Sequence, residues 1–212
     1  MTCLVTVYVA LLRAVNVGGA GNLPMDELKA ICRSAGFTAI ETYIASGNVV
    51  FESDASAVRI KAELEKRLQR KMGKPVGVAL RTATEISAVL KANPFPSAPA
   101  NYTVAVFLDG KPPADALDHA AGVVDEEMRL GRREIYVHYP RGQGRSKLRI
   151  PAAANGTARN INTIAKLAEM ARRSKPAVRL RSRRTRRNRR SSKPGLPKDC
   201  HNWWRDRRCS HR

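Results

Sequence analysis

Residues 39–52 read AIETYIASGNVVFE, and this stretch decides the fold because it holds two strand-like runs joined by a tight turn. Residues 39–45 and 49–52 have the apolar and β-branched composition of short strands. Ser46-Gly47-Asn48 between them consists of residue types that favour turns. The stretch therefore predicts a β-hairpin, and the elements on both sides of it complete a sheet.

The flanking elements extend the hairpin to a β-α-β-β-α-β order. Residues 2–12 are rich in β-branched residues and apolar on both faces, as a buried central strand is. Residues 25–35 place their apolar side chains on one helical face, and Gly36 ends that helix. Downstream, residues 55–72 form an amphipathic helix and residues 76–80 a strand. This order is the ferredoxin-like pattern.

A second set of elements follows a proline-rich linker. The pattern predicts a short helix over residues 84–91 and then the linker NPFPSAPAN at residues 93–101. Beyond it we expect, in order, a strand at 102–108, a helix at 114–121, hairpin strands at 127–130 and 134–139, and a closing helix at 160–171. The sequence therefore predicts an α+β fold of two tandem ferredoxin-like (βαββαβ-type) halves, the second without an obvious final strand.

The charge distribution separates a tail from these two halves. Residues 172–212 contain 17 of the 39 Lys and Arg residues but only 2 of the 18 Asp and Glu residues. This segment has too few apolar residues to offset its ordering entropy, so we expect it to be disordered. The predicted organisation is a first half over 1–82, a connecting helix and linker over 83–101, a second half over 102–171 and a basic tail over 172–212.

Three interpretations of the tail stay open. Its arginines would neutralise phosphates in a nucleic-acid-binding arm, with Trp203 and Trp204 stacking on bases. The tail would otherwise be the product of a shifted or extended reading frame, or a solvated segment with no partner. Its Cys and His residues are zinc-ligand types, but their spacing matches no common zinc pattern, so we expect no metal site at Cys200, His201, Cys209 and His211.

Composition excludes several other classes. A 43% hydrophobic content supports a buried core, and a net charge of +21 excludes an acidic disordered protein. The longest apolar run, residues 4–12, is too short to span a membrane and lacks the flanks of a signal peptide. Four cysteines in 212 residues do not make a disulfide scaffold. We expect a cytoplasmic protein with no membrane partner.

Four polar stretches fall in loops or at helix starts, where side chains and backbone amides can reach a ligand. In the first, Arg13 would bind phosphate and the Gly18-Gly19 backbone would form an anion nest. The second stretch contributes the hydrogen-bonding side chains of Ser46 and Asn48, and the third contributes Lys147. The fourth contributes Arg159 and Asn160 beside a helix N-terminus. Each stretch also has a structural explanation: a glycine-rich connection, a hairpin turn, a surface charge or a helix cap.

The four stretches together resemble a known family. LLRAVNVGG, TYIASGNVVF, SKL and TARNINT occur in the order and at the separations of the bacterial domain-of-unknown-function family 1697, whose pattern reads approximately LLRGINVGG, TYIQSGNVVF, SKL and TTRNWNT. The resemblance covers residues 4 to about 171 and implies two ferredoxin-like halves but no activity. It carries further positions into the candidate set: Asn16, Thr42, Tyr43, Gly47, Ser146 and Thr163. The chain departs from the pattern at Ala14, Ala45, Ala158 and Ile161.

The leading hypothesis is a site for a small phosphate-bearing or anionic ligand. In this hypothesis Arg13, Asn16, Lys147, Arg159 and Asn160 converge beside the Gly18-Gly19 backbone. One alternative is nucleic-acid binding through residues 172–212, since the body has few aromatic residues for stacking. The other is an enzyme acting on a phosphorylated substrate, although no nucleophile elbow or metal-binding motif is present. No cofactor is expected.

Overall fold

The computed structural model describes residues 5–16 and 22–174, all of which belong to one compact unit spanning Met1–Arg181. Gly18, Gly19 and the four Cys and His residues of the tail lie outside the described residues. The predicted disorder of residues 172–212 likewise falls almost wholly outside them. In the part of the chain that is described, no helix is long and apolar enough to cross a membrane.

The first half forms a four-stranded antiparallel sheet in the order β2-β3-β1-β4. Its elements are β1 (Thr6–Leu12), α1 (Met25–Ser34), β2 (Thr38–Tyr43), β3 (Asn48–Ser53), α2 (Ala57–Met72), β4 (Val78–Thr82) and α3 (Ala83–Lys91). The predicted hairpin is confirmed as β2 and β3, and both predicted helices are confirmed within two residues. Ser56 caps α2, and Thr82 with Glu85 forms a capping box on α3.

The second half forms another four-stranded antiparallel sheet, in the corresponding order β6-β7-β5-β8. Its elements are β5 (Thr103–Phe107), β6 (Glu127–Leu130), β7 (Glu134–His138), β8 (Thr157–Asn160) and α4 (Ile161–Arg173). Short 3₁₀ turns at Gln143–Arg145 and Pro151–Ala153 lie between β7 and β8. The two sheets with their helices confirm the α+β class.

Two predictions for the second half are wrong. Residues 114–121 form successive turns with i→i+3 hydrogen bonds instead of a helix, because this short, alanine-rich segment has little apolar surface with which to stabilise one. The final strand is present as β8, which pairs with β5. Its sequence TARN has no apolar alternation, so its strand conformation depends on pairing with a neighbour distant in the chain.

Alternation along β1 divides its side chains between two cores. Val9 and Leu11 lie in a core that also contains residues of β5, β7, α3 and α4, so this core joins the two halves. Ala10 and Leu12 lie in a second core beneath α1 and α2. A third core covers the other face of the second sheet, where Val106 packs against residues of turns and loops. The carboxyl end of β1 therefore lies where the halves meet.

The β2–β3 turn contacts this end of β1 directly. The Leu12 N–H donates to the Gly47 carbonyl at 2.8 Å, and Gly47 has a φ of +76°. A Cβ at Gly47 would lie 2.9 Å from the Leu12 Cβ. Glycine is therefore required here by backbone conformation and by close packing.

We expect Gly47→Ala to lower the free energy of unfolding by about 2 kcal/mol. The left-handed backbone conformation would strain an alanine, and its Cβ would also clash with the Leu12 Cβ. Gly36 is the matched control, since it has a φ of +85° but a Cβ added there would meet no atom within 4 Å. Gly36→Ala should cost only the conformational strain, about 1 kcal/mol. Urea unfolding of both variants gives the comparison, and equal losses would contradict the packing argument.

Candidate functional site

Arg159 lies at the centre of the region where three of the four polar stretches meet. It extends from β8 into the first half, and its side chain is buried, with 9% of the residue exposed. Its five N–H donors have five acceptors at 2.5–2.9 Å, which are Asn48 Oδ1, Thr157 Oγ1 and the carbonyls of Leu12, Ser46 and Ala158. We call this set of bonds the Arg159 tie. Its donors are all used within the protein.

Asn48 is the side chain of the β2–β3 turn that receives Arg159. It is fully buried, accepts from Arg159 Nε at 2.5 Å, and donates to the Tyr43 carbonyl and to Ser46 Oγ, each at 3.0 Å. An asparagine amide fits this position because it accepts and donates at once, which a carboxylate does not do. Ser46, Asn48 and Arg159 are therefore brought together.

The charge of Arg159 has no carboxylate among its hydrogen-bonding partners. Burial lowers the pKa of its guanidinium to about 10, which still leaves the group charged at neutral pH. Carbonyl and amide oxygens solvate the cation but do not neutralise it. A net positive charge therefore remains behind the turn.

Arg81 makes the reciprocal connection, from the first half into the second. It lies in β4, immediately before the N-cap of α3, as Arg159 lies immediately before the N-cap of α4. Arg81 donates to the Leu108 carbonyl at the end of β5 and to Glu134 at the start of β7, each at 2.8 Å. These partners correspond in position to Leu12 and Asn48. Arg81 is thus 1% exposed and ion-paired, whereas Arg159 pairs with a neutral amide.

Arg13 lies next to the Arg159 tie, at the mouth of a cavity of about 230 Å³ that we call the Arg13 cavity. Its Nη1 donates to Asn155 Oδ1 at 3.0 Å, and its side chain is partly exposed. Among the residues that the structure describes, Arg13 has no carboxylate partner. The other polar side chains that line the cavity are Lys61, Glu65, Asp109, Asn155 and Thr157.

Lys61 holds the two acidic side chains of this cavity. Its Nζ lies 2.8 Å and 2.9 Å from the Asp109 carboxylate oxygens and 3.0 Å from Glu65 Oε1. Burial acts to lower the pKa of Lys61, but Asp109 and Glu65 outweigh it, so the pKa rises. The lysine and its two acids form one network. Arg13 is the other cation that lines the cavity, and it has no acidic partner among the described residues.

Asn16 fastens the loop that follows β1. Its side chain accepts from the Leu23 N–H at 2.7 Å and donates to the carbonyls of Leu23 and Ala45. Asn16 and Ala14 have φ values of +58° and +50°. The family pattern has glycine at position 14, and the left-handed backbone conformation explains that preference. Asn16 thus supports the loop carrying Arg13 and leading to Gly18 and Gly19.

The stretch containing Ser146 and Lys147 does not join the other three. Both residues line a different cavity of about 240 Å³, which shares no lining residue with the Arg13 cavity. Ser146 donates to Glu126, which also accepts from the Val124 N–H at 2.8 Å. The Ser146 bond is the largest cause that lowers the pKa of Glu126 to about 2. Ser146 thus holds a loop, and Lys147 is exposed beside it.

The remaining candidates have local roles in the structure. Asn160 is the N-cap of α4, with its Oδ1 accepting from the Thr163 N–H at 2.8 Å, which confirms the predicted cap. Thr163 is buried, and Tyr43 packs against the core that joins the halves. In the described part of the chain, no three His, Cys, Asp or Glu side chains form a potential metal site.

Sequence reasoning misses the groups that surround Arg13 and Arg159. The sequence indicates Thr157 or Asn160 as the helix cap, but the Thr157 hydroxyl accepts from Arg159 and donates to the Leu12 carbonyl at 3.3 Å. Asn155 and Lys61 belong to no recognisable motif. The signal present in the sequence is the likeness of Arg81-Thr82 to Arg159-Asn160, two arginines that each precede a helix-capping residue.

We expect Arg159→Met to lower the free energy of unfolding by about 3 kcal/mol, because three acceptors in the first half lose their buried donor. Arg70→Met is the control, since Arg70 is exposed near the end of α2. Urea unfolding at neutral pH measures both. A loss of less than about 1 kcal/mol for Arg159→Met would show that the tie is not structural.

We expect Ser146→Ala to raise the pKa of Glu126 from about 2 toward its ordinary value of 4.5, because the largest stabilisation of the carboxylate is removed. The depressed pKa gives stability that is present above 4.5 and is lost as the pH falls toward 2. A carboxyl-carbon NMR titration of Glu126 measures the shift. An unchanged titration midpoint would remove Ser146 as its cause.

Comparisons with known proteins agree with this fold. The conserved bacterial protein SP0830 from Streptococcus pneumoniae has a solved structure that matches with a TM-score of 0.66. The match has 24% sequence identity and covers 79% of this chain and 99% of that one. At this identity the likeness establishes the fold alone. The comparison with curated proteins gave no match.

A family model provides the stronger evidence. The model for DUF1697, described as a protein of unknown function, matches residues 5–136. The match spans more than half of the chain and includes β1, the β2–β3 hairpin and the start of β7. The chain therefore belongs to the DUF1697 family.

Proposed function

We propose that this protein binds a small anionic or phosphate-bearing ligand in the Arg13 cavity. The observation that carries the proposal is the state of Arg13, a partly exposed guanidinium with one hydrogen bond and no carboxylate partner among the described residues. A guanidinium with several free N–H donors suits the planar, bidentate recognition of phosphate or carboxylate. Arg13 is the residue that contacts the ligand.

The electrostatics of the cavity support an anion. Arg13 and Lys61 together are matched in number by Asp109 and Glu65, so the charged side chains that line the cavity sum to zero, and the excess positive charge comes from Arg159, which is offset by no carboxylate. Thr157 lines the cavity and accepts from Arg159, so this positive charge lies directly behind the wall. Arg159 acts through the field that it creates, because its own donors are occupied.

The size of the cavity limits the ligand. A volume of about 230 Å³ is smaller than an ordinary site for a drug-sized molecule. It suits a phosphate group or a compact phosphorylated or carboxylated metabolite, with any larger part extending outside. Gly18 and Gly19 follow Arg13 in the chain, and their backbone amides are proposed as further donors.

The same strand order in both sheets supports a finer description of the fold, in which each half is a ferredoxin-like module. We also propose a cytoplasmic location. Nucleic-acid binding by residues 172–212 stays a prediction from composition. We propose no reaction, because the described residues around Arg13 include no nucleophile paired with a base.

We expect Arg13→Gln to weaken binding of inorganic phosphate and pyrophosphate by about tenfold or more, because it removes a charged bidentate donor. Isothermal titration calorimetry of the full chain measures the affinity. Arg70→Gln removes one positive charge at an exposed distant site, and it should change the affinity less than about twofold. Equal effects of the two substitutions would reject the Arg13 cavity as the site.

A further inference from the structure

A third cavity, of about 640 Å³, lies along the edge strand β4, and we call it the β4-edge cavity. It is bordered by the first turns of α2 and α3 and by Arg133, which precedes β7. It shares Lys61 and Asp109 with the Arg13 cavity, so the Lys61–Asp109 ion pair forms a common wall. Its volume falls in the ordinary range for small-molecule sites.

One side of the β4-edge cavity is apolar. Tyr8 and Leu80 contribute from the sheet, and Ala57 and Val58 from the first turn of α2. Val58 is 81% exposed, an unusual state for a branched apolar side chain at the border of a cavity. The body of a ligand would cover this surface and remove it from water.

Side chains occupy the outward-facing backbone groups of β4. The N–H groups of Val78 and Thr82 donate to Glu65 and Glu85. The carbonyls of Val78 and Leu80 accept from Lys61 and Arg81. These bonds block the addition of another strand.

Among the charged side chains of the cavity, Arg133 keeps donors that are not used within the described part of the protein. Lys61 is occupied by Asp109, Glu65 and a carbonyl, and Arg81 by Glu134 and carbonyls. Arg133 donates from Nη1 to Glu85 at 3.1 Å, but its buried Nε has no partner among the described residues. Nε itself is shielded, but the Arg133 side chain is 32% exposed, so the accessible part of its guanidinium can donate to an anionic ligand.

From this juxtaposition we propose that the β4-edge cavity binds an organic acid, a compact aromatic or aliphatic body that carries one anionic group. The anionic group accepts from the exposed part of the Arg133 guanidinium, and the body covers Tyr8, Leu80 and Val58. The site differs from the Arg13 cavity in its apolar wall and in the arginine that it uses. The proposal does not depend on the proposed function.

Two fluorescent probes test the proposal, 8-anilinonaphthalene-1-sulfonate and its uncharged analogue N-phenyl-1-naphthylamine, titrated into the full chain. We expect Arg133→Gln to raise the dissociation constant of the sulfonate by about tenfold and that of the uncharged dye by less than about twofold. Val58→Glu, at an exposed position, should also weaken sulfonate binding by charge repulsion.

Arg132→Gln is the matched control, because the neighbouring arginine does not line this cavity. It should leave both affinities unchanged. Circular dichroism of each variant verifies that it is folded. Sulfonate binding that is insensitive to Arg133→Gln, or equally sensitive to Arg132→Gln, would overturn the proposal, since the dye would then bind elsewhere, such as on the basic tail.

Discussion

The two halves of this protein are held by a pair of buried arginines that cross in opposite directions. Arg81 extends from the fourth strand of the first sheet to the ends of β5 and β7, and Arg159 extends from the fourth strand of the second sheet to the ends of β1 and β3. Each guanidinium completes the hydrogen bonding of the other half. The β2–β3 turn and the ends of β1 and β5 are joined to the other half by this exchange.

The exchange is symmetric in geometry but not in charge. Arg81 is neutralised by Glu134, whereas the corresponding partner of Arg159 is the amide of Asn48. The equivalent positions after the first strand of each sheet also differ in charge, with the positive Arg13 in the first half and the negative Asp109 in the second. The Arg159 end therefore holds a buried positive charge without a carboxylate partner, which the Arg81 end does not, whereas Arg13 and Asp109 both line the Arg13 cavity. This difference favours an anion site in the first half although both halves have the same strand order.

The first half is predictable from sequence because its local signals agree with its tertiary structure. The turn at Ser46-Gly47-Asn48 and the amphipathic pattern of α2 need no distant partner to be recognised. Strand β8 cannot be predicted from its sequence TARN, because its conformation depends on pairing with β5. The role of Arg159 cannot be predicted either, because its partner Asn48 is 111 residues away in the chain. Three of the polar stretches lie close together, but the Ser146 stretch lies at another cavity, since motif order in a chain does not determine distance in space.

The Arg159 tie also has a consequence for the timing of synthesis. The strands and helices of the first half are complete once Lys91 has been made, yet the carbonyls of Leu12 and Ser46 receive their buried donor from residue 159. On the ribosome, where N-terminal segments emerge first, the first half must wait for nearly the whole compact unit before its last hydrogen bonds can form. A chain that stops before β8 would retain a recognisable sheet with its joining surface unfinished.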